Sequence, residues 1–294
     1  VVTSSRQSLD TGLSGEDIVK NFLDPNNFSL TIWYNQLVFL ALVTLVLALA
    51  VWRSRRLVRR QAAAEAARAN LSRYFSPNIV AELARGGGAL EQASVQRAAV
   101  LFADMVGFTA ISERLPPEAL IGLLRDFHSR LARIAFAHNG TVDKYIGDAI
   151  MVHFGTPTPQ ADDPARALDC ARDMIAEIRR WNEDRGRRGE PPIGIGIGVD
   201  YGDVVVGNIG DAQRLEYTVL GDTVNVASRL ERLTRETGTA LVASEAVVFA
   251  ARDCPGGGRK SMEQLQPDQA RTVRGRREPV RVWLLPSGPA QIAG

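Results

Sequence analysis

Cysteine and histidine are scarce in this sequence, with two of the first (Cys170, Cys254) and three of the second (His128, His138, His153) among 294 residues. Neither cysteine falls in a CxxC or mixed Cys/His spacing, so no thiol chemistry or Cys/His metal pattern is expected, and two isolated thiols fit a reducing compartment. An excess of one charge is also missing. The formal net charge is +2, and no stripe of Lys and Arg is interleaved with aromatics, which sets nucleic acid aside as a partner. There is no tandem repeat and no long low-complexity tract. With 45% hydrophobic and 23% charged residues, the composition is that of an ordinary globular chain able to build a full core. The chain begins with Val, which leaves open both the tail of a longer receptor and an unusual start codon.

Charge is absent altogether from Leu30 to Trp52, LTIWYNQLVFLALVTLVLALAVW, a stretch of about the twenty apolar residues needed to cross a bilayer. Trp33 and Tyr34 stand at one end and Trp52 at the other, as interfacial aromatics do. Five arginines follow at once (Arg53, Arg55, Arg56, Arg59, Arg60), which marks that side as cytoplasmic. Ala48-Leu49-Ala50 resembles a signal-peptide cleavage site, but the preceding segment has two basic residues against four acidic ones and so lacks a basic leader region. A buried helix of a soluble protein is disfavoured because no polar face interrupts Leu37 to Val51. Residues 53 to 74 are rich in the helix formers Ala, Arg and Gln, and a stalk is expected there. Leu57, Ala64 and Leu71, with Ala67 and Tyr74 at the second seam position, outline a short heptad pattern that Arg60 spoils. Ser76-Pro77 reads as an N-cap and first helical residue, and Gly86, Gly87 and Gly88 stop the helix they open.

Beyond the glycines the hydrophobic periodicity alternates. Strands are expected at Arg97 to Phe102, Thr141 to Ile146, Ala149 to Phe154, Ile193 to Tyr201, Val204 to Val206, up to Leu220, and near Val280 to Leu285. Helices are expected around Leu120 to Ile134, Pro164 to Arg185 and Thr223 to Thr237. The order βαββαβ implies an α+β, ferredoxin-like domain, a split sheet with helices packed on one face. The expected organisation is a short extracytoplasmic segment 1–29, a transmembrane helix 30–52, a helical linker 53–88, a catalytic domain 89–288 and a tail 289–294.

Three segments carry chemistry. In FADMVGFT, residues 102–109, a strand delivers Asp104 to a Gly-containing turn that opens a helix, a place for a metal and for phosphate oxygens. In DKYIGDAIMVHFG, residues 143–155, Asp148 occupies a hairpin tip, and the topology projects Asp104 and Asp148 from one sheet edge. Two carboxylates so placed repel unless a cation neutralises them, and paired Asp without His or Cys suits Mg²⁺ or Mn²⁺ held jointly with a substrate phosphate. Taken singly, each Asp reads first as a turn cap. In EYTVLGDTVNVASRLE, residues 216–231, Asp222 reads as the N-cap of a helix, with Val226, Leu230 and Leu233 on its buried stripe. Asn225 and Arg229 lie four apart on another face, where an Arg beside an amide could clamp a phosphoryl group or be merely solvated.

Together, in this order, these blocks resemble the catalytic domain of the class III nucleotidyl cyclases, over about Arg97 to Leu285. The resemblance implies that Asp104 and Asp148, with the Met105 carbonyl, hold two divalent ions, Mg²⁺ or Mn²⁺, and that Val106, Gly107, Phe108 and Thr109 cradle the triphosphate. It implies that Lys144 and Thr218 read the purine, that Asn225 positions the ribose and Arg229 stabilises the transition state, and that Arg276, with Arg274 as runner-up, touches the phosphates. Many members have Asp where this chain has Thr218, though bacterial members with Thr there still look like adenylate cyclases. Guanylate cyclases place an acidic residue at the Lys144 position, and a Lys donor suits adenine N1, an acceptor, better than guanine N1–H.

The resemblance therefore implies an adenylate cyclase that turns ATP into cyclic AMP and pyrophosphate by in-line attack of the ribose 3′-hydroxyl on the α-phosphate. The three histidines then read as structural, because metal-held chemistry needs no His base. In the family the metal site of one subunit faces the base-reading and transition-state residues of the other, so a homodimer with two shared sites is expected. The expected location is the cell inner membrane, single-pass, with lipid as partner to one helix and the catalytic domain cytoplasmic. Rival readings are a guanylate cyclase and a catalytically silent membrane-anchored dimerisation module. No GGDEF or GGEEF run is present.

Overall fold

The computed structural model describes residues 15–24, 30–71, 76–84, 93–211, 215–254, 262, 264–271 and 279–286. The chain divides into two compact units, Val1–Ala67 and Arg68–Gly294.

The first unit holds helix α1 (Gly15–Leu23) and most of helix α2 (Leu30–Leu71), which continues for 42 residues. Within α2, Trp33–Arg56 has a mean hydropathy of 2.3 and none of it is buried by protein, so this helix is long and apolar enough to cross a membrane. The hydroxyl of Thr44, midway along this stretch, donates to the Leu40 carbonyl at 2.7 Å and so stays satisfied without water. At the basic end the Arg56 guanidinium lies 5.3 Å from the centre of the Trp52 ring. The heptad seam expected through Leu57, Ala64, Ala67, Leu71 and Tyr74 lies outside the described side chains.

The second unit opens with α3 (Pro77–Ala84), followed by β1 (Ser94–Val106), α4 (Phe108–Ser112), α5 (Pro117–Ala137), β2 (Thr141–Ile146), β3 (Ala149–Phe154), α6 (Asp163–Arg187) and β4 (Gly194–Gly210). Then come β5 (Leu215–Leu220), α7 (Asp222–Thr237), β6 (Leu241–Ser244), α8 (Glu245–Arg252), β7 (Gln266–Pro267) and β8 (Val282–Leu284). The sheet runs β2-β3-β1-β4-β6-β8-β7, with β5 paired to the far half of β4. Its β2-β3-β1-β4 core, antiparallel throughout, is the ferredoxin-like arrangement that the βαββαβ order implied.

Three expectations need correction. First, the strands expected at Ile193 to Tyr201 and Val204 to Val206 are one strand, β4, which pairs with β1 from Ser94↔Val206 to Val106↔Gly194 and so never has to break. Second, helices cover both faces of the sheet. Ala99, Leu101, Ala103 and Met105 of β1 pack with α5, α6 and α8, whereas Ala98, Val100 and Phe102 face the other way and meet Val204, Val206, Val219 and Ala227 of α7. The run Ala98 to Phe102, apolar at every position, is buried on both sides. Third, Gly221 rather than Asp222 is the N-cap of α7, and Asp222 is its first residue, where a carboxylate still complements the helix dipole. Ser76 precedes α3 as expected, but its hydroxyl donates across to the Val142 carbonyl of β2 at 2.8 Å.

Candidate active site

Two polar corners form on the sheet of the second unit. The first lies where β1 ends beside the β2–β3 hairpin. The hairpin turns through Gly147 at φ +64°, a left-handed conformation that favours glycine, and presents Asp148 next to it. Since Ala103 pairs with Ile150, the following Asp104 falls beside this tip. Burial, then a hydrogen bond with Asp104 and its negative charge, push the Asp148 carboxyl up to about 7. Beneath the tip, His128 of α5 stacks on Tyr145 with ring centres 4.4 Å apart and holds Nε2 3.4 Å from the Asp148 carbonyl. Burial pulls the His128 pKa down.

Asp104 Oδ1 accepts the Met105 N–H at 3.0 Å, and Oδ2 accepts from Arg235 Nη2 at 2.7 Å. Arg235 also pairs with the buried Glu231 one turn earlier on α7. A cation therefore already answers part of the charge at this corner. Among the described residues no cluster of three His, Cys, Asp or Glu side chains could hold a metal ion. Asp104 and Asp148 fit a different donor set, two carboxylates with a neighbouring carbonyl such as that of Met105, which leaves coordination positions for water and substrate phosphate. That is the manner of Mg²⁺ and Mn²⁺ rather than of zinc. The adjoining turn, Val106 to Thr109, enters the short α4 through Gly107 at φ +75°, with Gly107 and Thr109 exposed and Phe108 leaning on the main core.

The second corner joins β2 to β5. The register between β2 and β3 slips between Val142 and Lys144, so Asp143 has no partner across the hairpin, and such a bulge re-aims a side chain. The Asp143 side chain is wholly buried. Its Oδ2 accepts the Thr218 hydroxyl at 2.7 Å, and its Oδ1 lies 3.3 Å from the Lys144 ammonium, an ion pair without an aligned hydrogen bond. Lys144 also reaches Glu216 at 2.9 Å. Burial pulls the Lys144 pKa down, but the hydrogen bond to Glu216 and the charge of Asp143 outweigh it and the net shift is upward. Behind Asp143, His153 is fully buried, with Nδ1 2.5 Å from the Thr156 hydroxyl and Nε2 3.6 Å from Asp143 Oδ2, too long for a hydrogen bond. Burial first, and Lys144 in part, lower its pKa to about 4 against the pull of Asp143.

The fold thus gathers Asp104 with Asp148, and Lys144 with Thr218, within one chain. Asn225 is exposed and Arg229 half-buried on α7, and among the described residues no hydrogen bond or ion pair joins either of them to the two pairs. Arg274 and Arg276 lie outside the described residues. Sequence reasoning passed over Asp143, Glu216, Glu231 and Arg235. Glu216 was readable two positions before Thr218, on the same strand face. Arg235 carried no such signal, being 131 residues from the Asp104 it meets.

A family model described as "Adenylate and Guanylate cyclase catalytic domain" matches residues 90–285. The chain belongs to this family, the class III nucleotidyl cyclases. Among curated relatives, adenylate cyclase 1 of Rhizobium meliloti (strain 1021) is 34% identical over 158 residues, covering 54% of this chain and 24% of that protein. The adenylate cyclase of Anabaena cylindrica is 34% identical over 195 residues, covering 65% of this chain and 37% of that protein. The chain thus matches well under half the length of these relatives. Among solved structures, the adenylyl cyclase CyaB from P. aeruginosa is 28% identical with a TM-score of 0.59, covering 68% of this chain and 99% of that one. The guanylyl cyclase Cya2 is 34% identical with a TM-score of 0.57, covering 66% and 93%.

Proposed function

We propose that the chain is an adenylate cyclase that converts ATP to 3′,5′-cyclic AMP and pyrophosphate. The observation that carries this reading is the β2–β5 corner, where a lysine donor and a threonine hydroxyl meet at one buried carboxylate. An ammonium suits adenine N1, which only accepts, and is mismatched to guanine N1–H, which donates. In the reaction the ribose 3′-oxygen loses its proton and bonds to the α-phosphorus as the bond to the β-phosphate oxygen breaks. Asp104 and Asp148 would hold divalent ions, Mg²⁺ or Mn²⁺, whose chemistry is to acidify the 3′-hydroxyl and to neutralise the leaving pyrophosphate. The Val106 to Thr109 turn binds phosphate oxygens through backbone N–H groups, with Arg276 as a further basic contact. Asn225 orients the ribose, and Arg229 meets the charge that builds up on the transferring phosphorus.

That no hydrogen bond or ion pair joins Asn225 or Arg229 to the two aspartates among the described residues supports a homodimer in which α7 of one copy completes the metal corner of the other. The apolar span of α2, followed by its arginines, supports a single-pass inner-membrane anchor with the catalytic domain cytoplasmic. The likeness to Cya2, at 34% identity, favours a guanylate cyclase as the second reading. Assaying the purified full chain with ATP and with GTP in the presence of Mn²⁺, and identifying the products by chromatography, decides between them. Cyclic AMP is expected, and cyclic GMP formed from GTP without cyclic AMP from ATP would overturn the proposal.

A further inference from the structure

Asp143 is given no role of its own in the reading above, yet it is the residue on which that corner converges. It is the bulged residue of β2, its side chain has no exposed surface, and it touches both residues assigned to the purine. The direction of its hydrogen bond to Thr218 matters more than its existence. A threonine hydroxyl has one proton and two lone pairs, whereas a carboxylate only accepts. At 2.7 Å, therefore, the proton of Thr218 is committed to Asp143 Oδ2. What remains on the Thr218 oxygen is lone pairs.

We propose that Asp143 is a positioning residue for purine selection: by taking the only proton of the Thr218 hydroxyl, it leaves an oxygen that accepts from the 6-amino group of adenine and cannot donate to the 6-oxo group of guanine. The inference rests on the reading of Lys144 and Thr218 as the base contacts and adds the reason that a hydroxyl, which could serve either purine, serves one. Buried charge and geometry support it. Lys144 at 3.3 Å compensates the Asp143 carboxylate, and the same lysine is thereby held beside Thr218, so that one buried group orients both an acceptor and a donor. A bulge at Asp143 is what lets a polar side chain turn inward from a strand whose neighbour on one side, Val142, packs on the core.

The test compares kcat/KM for ATP and GTP in the full chain carrying Asp143→Asn, Thr218→Val or both. An asparagine has nearly the same shape but can present either its oxygen or its NH₂ to Thr218, so the hydroxyl regains the freedom to donate. Asp143→Asn is expected to lower the ATP-to-GTP ratio by about tenfold, the worth of one net hydrogen bond. Thr218→Val should lower it by a similar factor, and adding Asp143→Asn to Thr218→Val should change it by less than about twofold, because the first acts through the second. A merely structural Asp143 would reduce both activities together and leave the ratio alone, which would overturn the proposal. Should Asp143→Asn fail to fold, the unaltered chain still decides. ATP is compared with purine riboside triphosphate, which lacks the 6-amino group, and KM is expected to rise about tenfold in the unaltered chain but not in Thr218→Val. Equal KM values in the unaltered chain would overturn the proposal. A chain that prefers GTP from the outset overturns the adenylate reading as well, whereas ATP preference lost in Thr218→Val and kept in Asp143→Asn overturns the role of Asp143 alone.

Discussion

Gly198 of β4 lies directly beneath α7, and replacing it with alanine should unseat the helix that carries Asn225 and Arg229. An added Cβ would stand 2.2 Å from the Ala227 carbonyl oxygen, 2.2 Å from the Glu231 amide nitrogen and 2.8 Å from Glu231 Cα. Non-bonded heavy atoms rest at roughly 3.5 Å, so the helix must retreat by about 1 Å. All three obstacles are helix backbone, so no side chain can swing away, and rotation is blocked because Val226, Ala227 and Leu230 are buried. Overpacking of this kind destabilises by ~1–3 kcal/mol, and with nothing flexible to yield the upper part of that range applies. For a domain of this size the midpoint of thermal unfolding should fall by about 5–10 °C. If Asn225 and Arg229 act on the substrate as proposed, a shift of ~1 Å should also lower kcat by about a hundredfold. Circular dichroism melts and cyclase assays on Gly198→Ala measure the two effects. Gly122→Ala on α5 is the control, since a Cβ there meets nothing within 4 Å. It should leave activity unchanged and stabilise slightly. A Gly198→Ala chain that melts and turns over like the unaltered one would refute the close approach of α7 to β4.

Other consequences can be checked separately. Asp148→Asn should abolish turnover yet melt at a higher temperature in metal-free buffer above pH 7. A carboxyl raised to about 7 from its ordinary value is destabilising once ionised, and the neutral amide removes that charge; a lower melting temperature would contradict this. His153, held neutral with its pKa lowered to about 4, should make stability fall as the pH drops from about 6.5 towards 4, by about 3 kcal/mol in all. Asp143 and Lys144 are the charges facing it, and this contribution should appear as the difference between the unaltered chain and His153→Gln when urea unfolding of both is followed against pH, the opposite slope from Asp148 being common to the two. A reporter fused after Arg60 should behave as cytoplasmic and one fused before Leu30 as external; the reverse pattern, or a soluble full chain, would dismiss the anchor.

Much of the sheet could be read from the sequence because its segments announce themselves by local pattern. RAAVLF, the Gly147-Asp148 turn and the apolar stripe of α7 are all contained within a few residues. The same holds for the motif blocks, in which Asp104, Asp148, Lys144, Asn225 and Arg229 stand at recognisable positions. What escaped was set by pairing over distance. The Thr218 hydrogen bond to Asp143 spans 75 residues and the Arg235 contact with Asp104 spans 131, and neither leaves a periodicity. The bulge at Asp143 is invisible for a related reason, since a register slip belongs to two strands and not to one. The second helical face was in principle legible, because Ala98 to Phe102 is apolar without alternation, a pattern that demands cover on both sides.

The central claim is that one chain carries both halves of a cyclase site and that two copies complete it. Co-expression of Asp104→Ala with Arg229→Ala, followed by measurement of cyclic AMP formed from ATP, tests it most directly. Each variant alone should be nearly silent. In a mixed dimer one site collects both lesions, while the other receives intact aspartates from the Arg229→Ala chain and an intact arginine from the Asp104→Ala chain. Random pairing makes about half of the dimers mixed, so activity should return to roughly a quarter of that of the unaltered protein. Absence of recovery, with differently tagged chains shown to co-purify, would contradict the shared site and mean that each copy works alone or not at all.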